Sequence, residues 1–213
     1  MSANPTPKPI PRLGWIIAFL ASATAITLAY TSLQKSRPVI VPDHLQPISE
    51  VPNFQLTDQT NSPVSLADLK GKIWIANFIF TRCPSPCPLI SSRMAELNRK
   101  IERARKGVNL VTFTVDPTYD TPAVLAEYAE KLGADPTQWR FLTGPEAEIK
   151  NLVVKGLLQP FEKEPSGLTA HSTRFVLVDA QGSLRGVQDG TDPEVVQKLL
   201  MDIGDLLREN PPK

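Results

Sequence analysis

Cysteine and histidine are scarce in this chain of 213 residues, which contains two of each. Two cysteines are too few for the disulfide framework that stabilises many small secreted domains. An excess of one charge is also lacking, because 23 basic residues face 22 acidic ones. All four charges of residues 1–37 are basic, so residues 38–213 carry 19 basic and 22 acidic residues. Because residues 38–213 are slightly acidic and contain no basic stripe, we do not expect them to bind nucleic acid.

The N-terminal part of the chain contains a long uncharged apolar run over residues 13–33. As a helix, this run would be about 31 Å long, which matches the hydrocarbon core of a bilayer. Trp15 and Tyr30 lie near its two ends, where aromatic side chains favour the membrane interface. We therefore predict a short tail over residues 1–12 and a transmembrane anchor over 13–33. The alternative is a cleaved signal peptide with its cleavage site at Ala21-Ser22-Ala23.

Residues 34–52 contain four prolines and little helical periodicity, which predicts an extended linker between the anchor and a folded domain over 53–209. His44 lies in this linker, and we expect it to be exposed to solvent rather than to bind metal. The short basic tail favours an N-terminus that stays inside the cell and a domain that is exported.

Strands and helices alternate from residue 53 onward. We predict a hairpin over 54–64, buried strands over 73–80 and 109–116, a short edge strand over 141–143 and an antiparallel pair over 173–179 and 183–187. Helices are predicted after each parallel strand, before residue 158 and at the C-terminus, and 158–170 is predicted to be a mobile loop. This order is that of an α/β, thioredoxin-like domain with a central mixed β-sheet flanked by helices.

Both cysteines lie in one loop, Thr81-Arg82-Cys83-Pro84-Ser85-Pro86-Cys87-Pro88. Its three prolines fix φ and make the loop stiff. Pro88 suits the first helical position, which would place Cys87 at the helix N-cap, where the helix dipole lowers a thiol pKa. The loop therefore predicts two reactive or metal-binding sulfurs, and two buried structural cysteines are the alternative.

The predicted topology brings three side chains to the same edge of the sheet. The first two parallel strands end there, at the cysteine loop and at Asp116, and the strand over 173–179 begins there if it is antiparallel to them. His171 precedes that strand by two residues, so Cys83, Cys87 and His171 can converge. We expect Asp116 to orient His171 or to shape contacts with a partner, because a carboxylate is too hard a donor for a soft metal; the alternative is that it caps the turn at Pro117. Asp120 is expected to cap the following helix.

The sequence resembles the Sco/SenC family of membrane-tethered, thioredoxin-like copper proteins over residues 50–205. The resemblance rests on the following motifs: Gly71-Lys72, Phe80-Thr81-Arg82-Cys83-Pro84 with Cys87-Pro88, Val115-Asp116-Pro117 with Asp120-Thr121-Pro122, Leu142-Thr143-Gly144, and Ala170-His171-Ser172 before Val176-Leu177-Val178-Asp179. Ser85-Pro86 departs from the acid or Thr plus aliphatic residue that is usual between the cysteines of the family. Since these two positions are not ligands, the departure concerns loop rigidity and choice of partner.

This resemblance implies that Cys83, Cys87 and His171 bind copper and that Asp116 lies near the site. Two thiolates and one imidazole suit Cu(I), and they also bind Cu(II) with a fourth oxygen donor, whereas a structural zinc site would need a fourth protein ligand. The implied function is a copper chaperone of the bacterial inner membrane, with its domain on the outer side, that supplies the copper centre of cytochrome c oxidase subunit II. Other copper chaperones and thioredoxin-like reductases are further candidate partners.

Two enzymatic functions are alternatives to copper delivery. In the first, Cys83 and Cys87 form the redox pair of a thiol–disulfide oxidoreductase that keeps the oxidase subunit's cysteines reduced. The spacing permits a disulfide, but it is not the Cys-x-x-Cys of ordinary thioredoxins, and their proline before the hairpin strand is absent at 170–173. A peroxiredoxin-like peroxidase is disfavoured, because Phe80 stands where such enzymes need the hydroxyl of a threonine. A purely structural module would leave the proline-stiffened cysteine loop unexplained.

Overall fold

The computed structural model describes residues 20, 22–29, 42–104, 107–163 and 169–209, with backbone only for 102–104, 162, 163 and 169–171. The predicted tail and most of the predicted anchor over 13–33 lie outside these residues. Residues 20 and 22–29 are helical. No helix within the described ranges is both long enough and apolar enough to cross a membrane.

Ten strands are described, and eight of them form one sheet in the order β1-β10-β9-β4-β5-β6-β2-β3. The remaining two strands, β7 and β8, form a separate antiparallel hairpin. The strands are β1 Ser49–Glu50, β2 Gln55–Asp58, β3 Pro63–Ser65, β4 Ile73–Ile79, β5 Val108–Thr114, β6 Trp139–Thr143, β7 Phe161–Lys163, β8 Thr169–His171, β9 Arg174–Val178 and β10 Ser183–Asp189.

The centre of the sheet is formed by β4 and β5, which are parallel and buried along their whole length. Their apolar, β-branched and aromatic residues suit a strand that is covered on both faces. On its other side, β4 pairs antiparallel with β9, from Trp74 opposite Val178 to Ala76 opposite Val176. The predicted mixed sheet is therefore confirmed, and so is the antiparallel strand after His171.

Helices cover the sheet and divide the core into two clusters. The helices of the domain are α1 Leu66–Leu69, α2 Cys87–Ala104, α3 Pro122–Lys131, α4 Glu146–Asn151 and α5 Val195–Glu209, and a π-helical turn over Leu152–Gly156 continues α4. Ile75 and Leu110 pack with α2, α3 and α5 in one cluster, while Trp74 and Val111 belong to the other, which also contains both cysteines. Successive strand residues thus serve opposite faces of the sheet, as the period of a strand requires.

Two sequence predictions about loops and edges were wrong. The strand predicted over 141–143 is not an edge strand, because β2 pairs with its outer side through Thr57 opposite Thr143, and the β2–β3 hairpin forms the edge instead. The segment over 158–170, which was predicted to be a loop, contributes instead to the β7–β8 hairpin, in which Phe161 pairs with His171; its predicted mobility stays a prediction. Residues 164–168 of that segment lie outside the described residues.

The prediction of an extended linker over 34–52 also needs correction from residue 42 onward. Leu45 is fully buried in a 3₁₀ turn over Asp43–Leu45, and β1 pairs with β10. The imidazole of His44 hydrogen-bonds the Asp202 carboxylate of α5 at 3.0 Å, although the ring is more than half exposed. Apolar burial therefore draws this proline-rich segment onto the domain. Residues 34–41 lie outside the described residues.

Candidate metal centre

The cysteine loop connects the carboxyl end of β4 to the start of α2. The Pro86 carbonyl accepts the first hydrogen bonds of the helix, from the N–H groups of Leu89 at 3.0 Å and Ile90 at 3.2 Å. Pro86 is therefore the N-cap, and the prediction that Cys87 occupies that position was wrong by one residue. Cys87 is the first helical residue, and Cys83 lies in the turn that begins with the Phe80 carbonyl accepting from the Cys83 N–H at 3.1 Å.

The two cysteines do not form a disulfide and both are buried, Cys83 with 8% and Cys87 with 1% of its surface exposed. Burial and a hydrogen bond with Cys83 raise the pKa of Cys87 to about 12, although a hydrogen bond with the Phe80 backbone lowers it in part. The prediction of a lowered thiol pKa at the helix start was therefore wrong for Cys87. The loss of hydration outweighs the favourable field of the helix dipole, because this thiol lies in the apolar core. Two neighbouring thiols can bind one soft metal ion as thiolates, once they lose their protons, or they can form a disulfide when oxidised.

Arg82, the residue before Cys83, forms an exposed link to the loop that follows β5. Its guanidinium donates to the Asp116 carboxylate at 2.7 Å and lies 3.9 Å above the centre of the Tyr119 ring. The Arg82 side chain is 57% exposed and that of Asp116 24% exposed. Asp116 therefore lies beside the cysteine loop, as expected, with Arg82 as its side-chain partner. Its predicted role toward His171 stays a prediction.

Asp120 forms a second link between the same two loops, and the sequence did not reveal it. The prediction that Asp120 caps α3 was wrong, because Thr121 is the cap and its hydroxyl accepts from the Val124 N–H. The Asp120 carboxylate is fully buried instead and accepts hydrogen bonds from Thr81 and Thr114. Since these partners lie on other elements of the fold, no local signal could have identified them.

His171 is the last residue of β8, and its side chain lies outside the described residues. The backbone nevertheless shows where the segment after it lies relative to α2. Gly190 at the end of β10 fits between the Thr173 carbonyl and Ile90, which lies three residues after Cys87; a Cβ atom on Gly190 would lie 2.3 Å from the Thr173 oxygen and 2.7 Å from Ile90 Cδ1. The start of β9 therefore lies close to the first turn of α2.

Sequence reasoning singled out three candidate ligands, and the structure describes the side chains of two of them. Among the side chains that it describes, no three His, Cys, Asp or Glu residues are grouped closely enough to hold a metal ion. Cys83 and Cys87 stay together as a pair, and His171 as their companion stays a prediction. His44 is bonded to Asp202 on α5 and is accounted for as part of the packing of residues 42–52.

Comparisons with known proteins agree with this fold. The SCO1 protein homolog of Bacillus subtilis (strain 168) is 31% identical over 157 residues, which are 72% of this chain and 81% of that protein. The structure of BsSco, a member of the Sco family of cytochrome c oxidase assembly proteins described with a disulfide switch, matches with a TM-score of 0.68 at 30% identity, over 76% of this chain and 95% of that one. Bradyrhizobium japonicum ScoI, solved with copper bound, matches with a TM-score of 0.64 at 27% identity, over 75% and 100%. The SCO1/SenC family profile matches residues 42–206. This chain belongs to the SCO1/SenC family.

Proposed function

We propose that this protein is a copper chaperone whose cargo is held by Cys83, Cys87 and His171. The observation that carries the proposal is the pair of buried thiols in the loop at the carboxyl end of β4, where a hydrogen bond with Cys83 helps to raise the pKa of Cys87. Soft thiolates with an imidazole suit Cu(I), and they fit zinc less well in the absence of a fourth protein ligand. The copper-bound structure of the related ScoI protein supports the same metal.

The recipient that we propose is the copper centre of cytochrome c oxidase subunit II. Its support is the description of a related protein as a member of a family of oxidase assembly proteins. Copper would leave by ligand exchange, in which thiols of the recipient replace the chaperone's thiolates one after the other. Cys83 is the more exposed of the two cysteines, so the exchange would begin there.

We further propose that residues 13–33 anchor the chain in the bacterial inner membrane and that the domain lies on its outer side. The support is the length and apolar character of that run together with the short basic tail before it. Cell fractionation combined with protease digestion of intact spheroplasts tests both statements. If the protease leaves both the domain and a cytoplasmic marker protein intact, that result contradicts the proposed orientation.

Copper titration of the purified full-length chain tests the ligand set. We expect one copper ion per chain and a sulfur-to-copper absorption in the Cu(II) form that is lost on Cys83→Ser or Cys87→Ser and changed on His171→Ala. The matched control is His44→Ala, which removes the chain's other histidine and should leave binding unchanged. Stoichiometric binding that survives loss of His171 and both cysteines would overturn the proposal.

A second candidate function is thiol–disulfide exchange, in which the two thiols give up two electrons and two protons to reduce a disulfide of the recipient. The hydrogen bond between Cys83 and Cys87 favours this candidate, since it brings the sulfurs together. Measuring the reduction potential of the pair with and without copper separates the two functions. A chaperone without redox activity should transfer copper to a recipient peptide whose cysteines are already reduced, and it should leave an oxidised peptide oxidised.

A further inference from the structure

Asp120 is a buried carboxylate whose hydrogen bonds lead to the cysteine loop. None of its surface is exposed. It accepts hydrogen bonds from the Thr81 N–H at 3.1 Å, from the Thr81 hydroxyl at 2.5 Å and from the Thr114 hydroxyl at 2.5 Å. Thr81 lies two residues before Cys83, and Thr114 is the last residue of β5. The carboxylate therefore joins the start of the cysteine loop to the end of the neighbouring strand.

The secondary structure around Asp120 does not require a carboxylate at this position. Thr121 caps α3, and β4 and β5 are already joined by their own ladder from Ile73 opposite Val108 to Ile79 opposite Thr114. Burying a carboxylate costs free energy unless hydrogen-bond donors surround it. The Asp120 carboxylate has such donors from Thr81, in the cysteine loop, and from Thr114, at the end of β5. The Asp120 carboxylate therefore holds Thr81, and the loop that follows it, in a fixed position.

A second link runs parallel to this one at the surface. Thr81 and Arg82 are consecutive, and they bind Asp120 and Asp116 respectively. The N–H of Asp116 also donates to the Thr114 hydroxyl at 3.0 Å, so that Thr114 connects the two links. Asp120 is the inner, buried member of this arrangement and Asp116 the outer, partly exposed one. Hydrogen bonds to a charged group are strongest where water is excluded, so the inner link should dominate.

We propose that Asp120 is a positioning residue that holds Cys83 and Cys87 in the arrangement needed to take up copper. This inference rests on the proposed copper function for its final consequence, although its effect on the two thiols does not need copper. Residues that orient metal ligands typically change affinity by about 10- to 100-fold when replaced. We expect a change of that size from the loss of the Asp120 charge.

The test uses the full-length chain with Asp120→Asn and two substitutions of Thr81. Asp120→Asn keeps the shape of the side chain and removes its charge. Thr81→Val removes the hydroxyl donor at nearly constant volume, whereas Thr81→Ser keeps it. Asp116→Asn removes the charge of the outer link only. Each variant is compared with the wild type by the rates at which a thiol reagent modifies Cys83 and Cys87, read by peptide mass spectrometry, and by Cu(I) affinity in competition with a chelator.

The expected result is that Asp120→Asn and Thr81→Val change the ratio of the two modification rates and lower Cu(I) affinity by about tenfold or more. Thr81→Ser should restore both quantities to near the wild-type values, and Asp116→Asn should change them less than Asp120→Asn. If Asp120→Asn does not fold, the pair Thr81→Val and Thr81→Ser decides the matter. Folded Asp120→Asn and Thr81→Val proteins with wild-type thiol rates and copper affinity would overturn the inference.

The rates at which the reagent modifies Cys83 and Cys87 test the positioning role of Asp120 separately from the proposed copper function. A wild-type chain that binds no copper would overturn the chaperone proposal. The positioning role would then stand if the ratio of thiol rates changes in Thr81→Val and not in Thr81→Ser, and it would fall if both variants match the wild type.

Discussion

Gly190 lies so close to Thr173 that even a methyl group could not be placed between them. A Cβ atom built on Gly190 would lie 2.3 Å from the Thr173 carbonyl oxygen, well inside van der Waals contact. The N–H of Gly190 donates to the same oxygen at 3.1 Å. The approach therefore fixes Thr173, which lies two residues after His171 and directly before β9, against the end of β10.

Replacing Gly190 by alanine should disturb this approach. The added methyl group must displace backbone or the Ile90 side chain, so we expect the free energy of unfolding to fall by about 1–3 kcal/mol or more. Because the displaced backbone adjoins His171, copper affinity should fall as well. Gly186→Ala is the control in the neighbouring strand β10, since its Cβ would meet Leu45 Cδ2 at 3.5 Å and Leu177 Cβ at 4.0 Å, which are ordinary contact distances. Equal stability of the two variants in urea denaturation would contradict the prediction.

Leu45 should contribute to the stability of the domain although it lies in the proline-rich segment. It is fully buried, and replacing a buried leucine by alanine typically lowers the free energy of unfolding by about 2–5 kcal/mol. Ile48→Ala is the control, because Ile48 is 55% exposed and its loss should cost less than about 0.5 kcal/mol. If both variants unfold at the wild-type urea concentration, residues 42–52 do not belong to the cooperative unit.

Arg185 should be far more sensitive to truncation than an exposed arginine. Its side chain is 2% exposed, and it donates to the Asp179 and Glu209 carboxylates at 2.7 and 2.6 Å and to the Leu45 carbonyl at 2.6 Å. Arg185→Ala would leave the buried Asp179 charge unpaired, so we expect a loss of about 3–5 kcal/mol in the free energy of unfolding. Arg208, which is 70% exposed, supplies the control, and Arg208→Ala should cost less than about 1 kcal/mol. Similar losses for the two variants would show that burial of the Arg185 ion pairs is unimportant.

The raised pKa of Cys87 predicts how the two thiols respond to pH. Thiol reagents attack the thiolate, and a pKa of about 12 leaves Cys87 protonated at neutral pH. The modification rate of Cys87 should therefore rise about tenfold per pH unit from pH 8 to 10, without the plateau that a free cysteine reaches near its own pKa. At pH 8 it should be slower than a free cysteine on the order of 50-fold, because higher intrinsic nucleophilicity offsets part of the lower thiolate fraction.

The chain unfolded in urea is the control for this measurement. Both cysteines should then react at similar rates and reach a plateau above about pH 9. A plateau near pH 9 for Cys87 in the folded protein would show that its thiolate is not disfavoured by burial.

The centre of this fold can be predicted from the composition of single segments of the sequence. The run over 73–80 predicts a buried strand because its residues are apolar on both faces, and Thr121-Pro122 predicts a helix start because both residues have the right backbone chemistry. The β7–β8 hairpin is different, since three-residue strands leave no periodicity to detect and the pairing of Phe161 with His171 is set by tertiary packing.

In the candidate site too, features set by neighbouring residues could be predicted from the sequence, and features set by distant residues could not. The cysteine pair could be predicted, because its spacing and its prolines are written in eight consecutive residues. The raised pKa of Cys87 could not, since it depends on burial in a core assembled from distant segments. Asp120 was misassigned because its neighbour Thr121 makes a cap plausible, while Thr81, its actual partner, lies 39 residues earlier in the chain.

The pairing of β4 with β9 has a consequence for how the site could open. The two strands are direct neighbours in the sheet, and their ladder from Trp74 opposite Val178 to Ala76 opposite Val176 holds the two backbones about 4.8 Å apart. A hinge between β4 and β9 would have to break the hydrogen bonds of that ladder. We therefore expect that any movement needed to admit a metal ion involves chain segments outside this ladder, while the paired strands keep their positions.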